Sequence, residues 1–134
     1  MKKPILSALF GLYLLPTPAT AQILLPEPIT NNAVVPDSLG RLAASASTIR
    51  NRIFITGGYA VLAGGKELSS PHLFIFDPQT ETYTQGASLP HAIDDHVQAV
   101  WRDSLLYVVS GWSDSLTVAR VQVYVPSENR SEPV

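Results

Sequence analysis

Ile53-Phe54-Ile55-Thr56-Gly57-Gly58 and Leu106-Tyr107-Val108-Val109-Ser110-Gly111 are one phrase written twice, 53 positions apart. A second phrase repeats downstream: Leu73-Phe74-Ile75-Phe76-Asp77-Pro78 returns 48 positions later as Val121-Gln122-Val123-Tyr124-Val125-Pro126. Self-similarity at a period near 50 residues marks a repeat architecture and governs every later reading. The slack between the two offsets falls in a connecting loop, where a change of length costs least. The runs are β-branched and aromatic and are bounded by Gly, Pro, Asp or Ser, so each predicts a strand. Ile53 to Ile55 and Leu105 to Val109 are apolar at successive positions, so both of their faces are covered. Stacked sheets provide that, and a lone sheet facing water does not.

Ahead of each first phrase lies a weaker alternating run, Leu42 to Ile49 and His96 to Trp101, joined to it by a polar turn, Arg50-Asn51-Arg52 or Arg102-Asp103-Ser104. Asp77-Pro78-Gln79-Thr80 is a turn with a mechanism, because the Asp carboxylate accepts from backbone amides and Pro presets φ. Thr82 to Gln85 then returns as a fourth, outer strand. Each unit is expected to hold four antiparallel strands.

These residues resemble the kelch repeats, whose pattern is a strand ending in two glycines, a second strand leading into Asp-Pro-x-Thr, an aromatic a few residues on, and a hydrophobic-Pro pair. Here the pattern reads IFITGG, LFIFDPQT, Tyr83 where the family usually has Trp, and Leu89-Pro90. Arg41, twelve residues ahead of Ile53, falls where kelch repeats commonly carry arginine, and Asp94 is read as its counterpart in the second unit. That unit departs further, with Ser110-Gly111 for the double glycine and Val125-Pro126 for Asp-Pro. The resemblance covers Arg41 to Val134. It implies an all-β fold of kelch-type β-propeller blades, one over 41–90 and a second, incomplete one over 91–134 that stops where its outer strand should begin. Propellers close with at least about four blades of about 50 residues. About two blades make an incomplete propeller, read as a truncated chain, with self-association of several copies as another route to closure.

The opening MKKPILSALFGLYLLPTPATA has two lysines, an apolar run from Ile5 to Leu15, and Ala19-Thr20-Ala21, the plan of a signal peptide over 1–21 with cleavage after Ala21. The apolar run spans roughly 16 Å as a helix, short of a bilayer core of about 30 Å, so no membrane span is expected after cleavage. Residues 22–40 hold prolines and asparagines with little periodicity and read as an extended lead-in. Without Lys2 and Lys3, seven basic residues face eleven acidic ones, a formal charge of −4, which disfavours nucleic acid as a partner. The absence of cysteine excludes disulfides, thiolate zinc sites and a cysteine nucleophile within this chain. The expected location is periplasmic or extracellular.

Alternating hairpins put the segments Tyr59 to His72, His91 to Asp95 and Trp112 to Arg120 on one rim. Its binding candidates are Arg41, Tyr59, His72, His91, Asp94, Asp95, His96, Trp112 and Asp114, with Lys66 beside them. His91-Ala-Ile-Asp94-Asp95-His96 is the densest polar cluster; imidazole with carboxylate suits a metal or an acid–base pair, and equally a solvated loop. No metal set, catalytic residue or cofactor is assigned. Trp112 beside Asp114 offers a flat apolar platform with acceptors, as sugar binding needs, or alternatively packs on the adjacent blade. Trp101 and Tyr83 are expected to pack. Gly64-Gly65-Lys66 lacks the other residues of a phosphate loop, and Asn129-Arg130-Ser131 matches a glycosylation sequon.

Two functions follow. One is an exported module presenting its rim to a carbohydrate or protein ligand. The other, implied by the kelch resemblance, is part of a periplasmic sugar-acid epimerase or mutarotase of the N-acetylneuraminate epimerase type. A galactose oxidase-like copper-radical enzyme fits less well, because its site needs a cysteine. A small β-sandwich predicts alternating strands throughout, against Leu105 to Val109.

Overall fold

A computed structural model describes residues 34–37, 39–114 and 116–134. The leader read at 1–21 and the first part of the lead-in lie outside them. No helix occurs among the described residues. Their strands are β1 (Ser45–Ile49), β2 (Arg52–Thr56), β3 (Tyr59–Val61), β4 (Glu67–Ser69), β5 (Leu73–Asp77), β6 (Thr82–Gln85), β7 (Val97–Trp101), β8 (Leu105–Val109), β9 (Trp112–Ser113), β10 (Leu116–Thr117), β11 (Val121–Val125) and β12 (Arg130–Pro133). Two antiparallel four-stranded sheets dominate, ordered β1-β2-β5-β6 and β12-β11-β8-β7, and each carries a short hairpin, β3-β4 or β9-β10. The repeat in the sequence is a repeat in space.

Turn chemistry sets the strand limits. Arg50 and Asn51 both have positive φ, the requirement of a two-residue hairpin whose twist suits the flanking strands. Asp77 accepts from the Gln79 amide at 2.9 Å, the expected turn before Pro78. The run predicted from Leu42 is a strand only from Ser45, because Ala43 has φ of 52° and Leu42 makes a single bridge to Tyr59. The second sheet is also fuller than expected. Arg130–Pro133 pairs with β11 in register, Val125 opposite Arg130, so this blade has its outer strand.

The sheets meet through side chains of opposite pleats. Phe54, Leu73 and Ile49 from the first interlock with Leu106 and Tyr124 from the second, with Ile75, Ala87 and Val100 packed against them. Burying each large apolar side chain contributes about 1.5–3 kcal/mol. A smaller cluster of Leu89, Ile93 and Val108 closes the connection between the blades. Here backbone approaches backbone: a Cβ on Gly57 would lie 2.2 Å from the Ile93 carbonyl oxygen, and one on Gly111 2.4 Å from that of Asp94. The glycines of both repeats admit the connecting segment.

Two sequence expectations are corrected by this geometry. Trp101 does not pack. It is 54% exposed, with the Arg102 guanidinium 5.1 Å over its ring, because alternate residues of β7 point away from the first sheet. Tyr83, by contrast, packs on Phe76 with ring centroids 4.8 Å apart. Arg41 and Asp94 are not counterparts either. The second blade's turn, Arg102 to Ser104, is one residue longer than the first's, so the bridge Leu42–Tyr59 corresponds to Asp94–Trp112 and Arg41 to the buried Ile93.

Candidate functional site

Two of the three rim segments, Tyr59 to His72 and Trp112 to Arg120, fold back as the hairpins β3-β4 and β9-β10, and Ser69 at the end of β4 joins them. Its amide donates to Asp114 Oδ1 at 2.9 Å, its hydroxyl accepts from the Asp114 amide at 2.6 Å, and the same hydroxyl donates to the Asp94 carboxylate. Asp94, only 3% exposed, exchanges two backbone hydrogen bonds of 2.8 Å with Trp112. The rim therefore gathers residues from both blades into one network of short contacts.

Trp112, like Asp114, is an exposed member of this network. Its indole N–H donates to the Asp114 carbonyl at 3.1 Å, which fixes the ring plane, and the residue stays 40% exposed. The residues that follow Trp112 in the chain, Ser113, Asp114, Leu116, Thr117 and Arg120 among them, line a cleft of about 620 Å³. An exposed indole in a segment that also supplies a carboxylate and a guanidinium has the groups to stack on an apolar ring face and hydrogen-bond its hydroxyls.

His96 lies inward, 7% exposed, between Gly57 and Gly111. Its Nε2 stands 2.8 Å from Thr56 Oγ1, the Thr56 hydroxyl donates to Gln98 Oε1, and Gln98 Nε2 donates to the Phe54 carbonyl at 3.1 Å. This order of donors places the imidazole proton on Nε2 and leaves Nδ1 buried without a partner. Burial lowers the His96 pKa, against a smaller opposing effect of the Asp95 charge. Neutral His96 is thus part of the joint between blades.

The remaining candidates divide between scaffold and surface. Arg41 bonds Asp37 at 2.6 Å and the Gly57 carbonyl at 2.6 Å while its guanidinium covers the Phe74 ring at 4.8 Å, so it serves as a clamp. Burial alone would raise the Asp37 pKa; the Leu39 amide and Arg41 together hold it below the usual value. His72 is half-buried, with Nδ1 3.4 Å from both Ser88 Oγ and Gln85 Nε2, and lines a second cleft of about 280 Å³ with Asp37, Arg41, Leu68, Ser70 and Pro71. The His91 backbone is held by the Gln122 carboxamide, which accepts from its amide at 2.8 Å. Tyr59 is half-buried at the start of β3, and Asp95 and Lys66 are exposed. His91, Asp94, Asp95 and His96 are neighbours in sequence, but their side chains do not form one cluster.

Residues 40–90 match the Kelch motif. The first four-stranded sheet, with its β3-β4 hairpin, is thus a kelch repeat. Among 119 solved chains that match, the structure of YjhT is similar over 70% of this chain at a TM-score of 0.62 and 13% identity, a likeness of fold alone. The match spans 37% of that chain, so this chain covers little more than a third of its length. No curated protein matches. In kelch terms, the two sheets are blades of an incomplete propeller, and Trp112, Asp114 and Ser69 sit where second and third strands of adjacent blades are joined. Ser69, Thr56, Gln98 and Gln122 were missed by sequence reasoning. Thr56 and Gln98 occupy inward positions of otherwise apolar or alternating strands, and that was the available signal.

Proposed function

We propose that this chain is an exported kelch module that binds carbohydrate at its rim, with Trp112 as the stacking platform and Asp114 and Arg120 as hydrogen-bonding groups. The observation that carries the reading is the Trp112 indole, held by the Asp114 carbonyl yet 40% exposed. A ligand with an apolar ring face and a fringe of hydroxyls complements that arrangement better than a flat protein surface does. The epimerase reading has less support, because Asp94 and His96, which could have supplied acid–base groups, are turned into the joint between blades.

Screening the chain against immobilised glycans, followed by titration of tryptophan fluorescence, tests this reading. Binding is expected for the parent chain and for Trp101→Phe, with at least tenfold loss in Trp112→Ala. A blank screen, or binding unchanged in Trp112→Ala, refutes it. Export rests on the leader-like sequence at 1–21 and is tested by N-terminal sequencing of the protein recovered from a secreting host, with Gln22 expected first.

A further inference from the structure

The second blade has two sheet faces, and only one meets another sheet among the described residues. On the other lie alternate side chains of β7, β8 and β11: Val97 is 67% exposed and Trp101 54%, Tyr107, Val109 and Val121 are half-buried, and Val123 is buried beside them. An apolar sheet face of this extent is an interaction surface.

The internal repeat identifies what fits it. Ile49, Phe54, Leu73 and Ile75 are the first blade's contribution to the core between blades. Carried through the strand registers, their counterparts on the second blade are Trp101, Tyr107, Val121 and Val123, all on the face that meets no other sheet among the described residues. Partners can be read off in the same way. Within the chain the first blade receives Val100, Leu106 and Tyr124; their counterparts on the first blade are Thr48, Ile53 and Phe76, on the sheet face turned away from the second blade. The chain thus carries both halves of its own interface a second time, on opposite sides.

We propose that the outer face of the second blade docks the back face of the first blade of another copy of this chain, repeating the internal interface between molecules. The contact is head-to-tail, and such contacts close into rings when the rotation permits. Propellers typically have about four to eight blades, so two blades per copy give closed assemblies of about two to four copies. The segment around Asp37 and Arg41 does not block this docking, because its counterpart around Ile93 lies within the internal interface.

Analytical ultracentrifugation of the full chain over a wide concentration range tests the proposal. The parent chain is expected to form a discrete multiple of the chain mass. Val97→Lys with Trp101→Lys on one face, and Thr48→Arg on the other, change exposed residues. Each variant alone should sediment as a monomer with the parent's circular dichroism, and an equimolar mixture should form a one-to-one dimer, since each retains the face the other has lost. A monomeric parent, variants that still assemble, or a mixture that stays monomeric overturns it. So does a polydisperse parent whose mixed variants give no dimer.

Discussion

Nε2 of His96 and Oγ1 of Thr56 lie 2.8 Å apart, linking the start of the second blade to the second strand of the first. The contact sits in a nearly sealed joint, so charging the imidazole is unfavourable there and the folded pKa is lowered. The unfolded chain, with His96 near its ordinary 6.5, takes up the proton at higher pH than the folded chain does. Stability contributed by the neutral ring is therefore full above about 6.5 and falls as pH drops toward the lowered folded value. Thermal melts from neutral to mildly acid pH should show a falling Tm in the parent chain and a flatter profile in His96→Gln.

Gly57 tests the close approach of the backbones. An added Cβ would meet the Ile93 carbonyl oxygen at 2.2 Å, and φ is 61°, so Gly57→Ala combines a clash with backbone strain. Its expected cost is about 3 kcal/mol or more. Gly64→Ala is the matched control: φ is 86° but nothing lies within 4 Å of its new Cβ, and it should lose only about 1 kcal/mol. Urea denaturation of the two variants separates the steric contribution from the conformational one. Equal losses would remove the argument that these glycines admit the connecting segment.

The blades were legible because their strands repeat in composition and their turns carry local chemistry: β6 spans Thr82–Gln85 as read, and Asp77 caps its turn as read. The failures were of another kind. Arg130–Pro133 is polar and carries little strand signal by itself; it becomes a strand because β11 offers it a free edge. Asp94 and His96 look like a polar loop cluster in sequence. Their burial depends on Ser69 and Thr56, which lie 25 and 40 residues away along the chain. Trp112 was legible as a candidate, but its fixed pose depends on a turn that brings the Asp114 carbonyl back to its own indole.

Asn129, read in the sequence as part of a sequon, has a structural task. Its side-chain oxygen accepts from the Tyr124 hydroxyl at 2.9 Å and from the Ala87 amide at 2.8 Å, while its φ of 46° suits Asn. Tyr124 is almost wholly buried, and burial raises the pKa of its phenol. Asn129→Gly preserves the backbone conformation and removes only the carboxamide, so its loss measures the two hydrogen bonds. Chemical denaturation should register about 1–3 kcal/mol. A loss within error would show that water replaces the carboxamide at both donors.

Ser69 joins the stability of the rim to its proposed function. Ser69→Ala removes the donor to the Asp94 carboxylate and the acceptor of the Asp114 amide, but keeps the backbone donor to Asp114 Oδ1. Leaving a buried carboxylate short of one partner should cost about 1–3 kcal/mol. Asp114 is also what orients the Trp112 indole, so its loosening should reach the platform without touching it. If the rim binds carbohydrate, Ser69→Ala should weaken binding by several-fold at a temperature where the variant remains folded, less than the at least tenfold loss expected of Trp112→Ala. Ser69→Thr, which restores a hydroxyl, should recover part of the affinity. A Ser69→Ala variant that is destabilised but binds with parental affinity would show that the network holds the blades together and has no part in orienting Trp112.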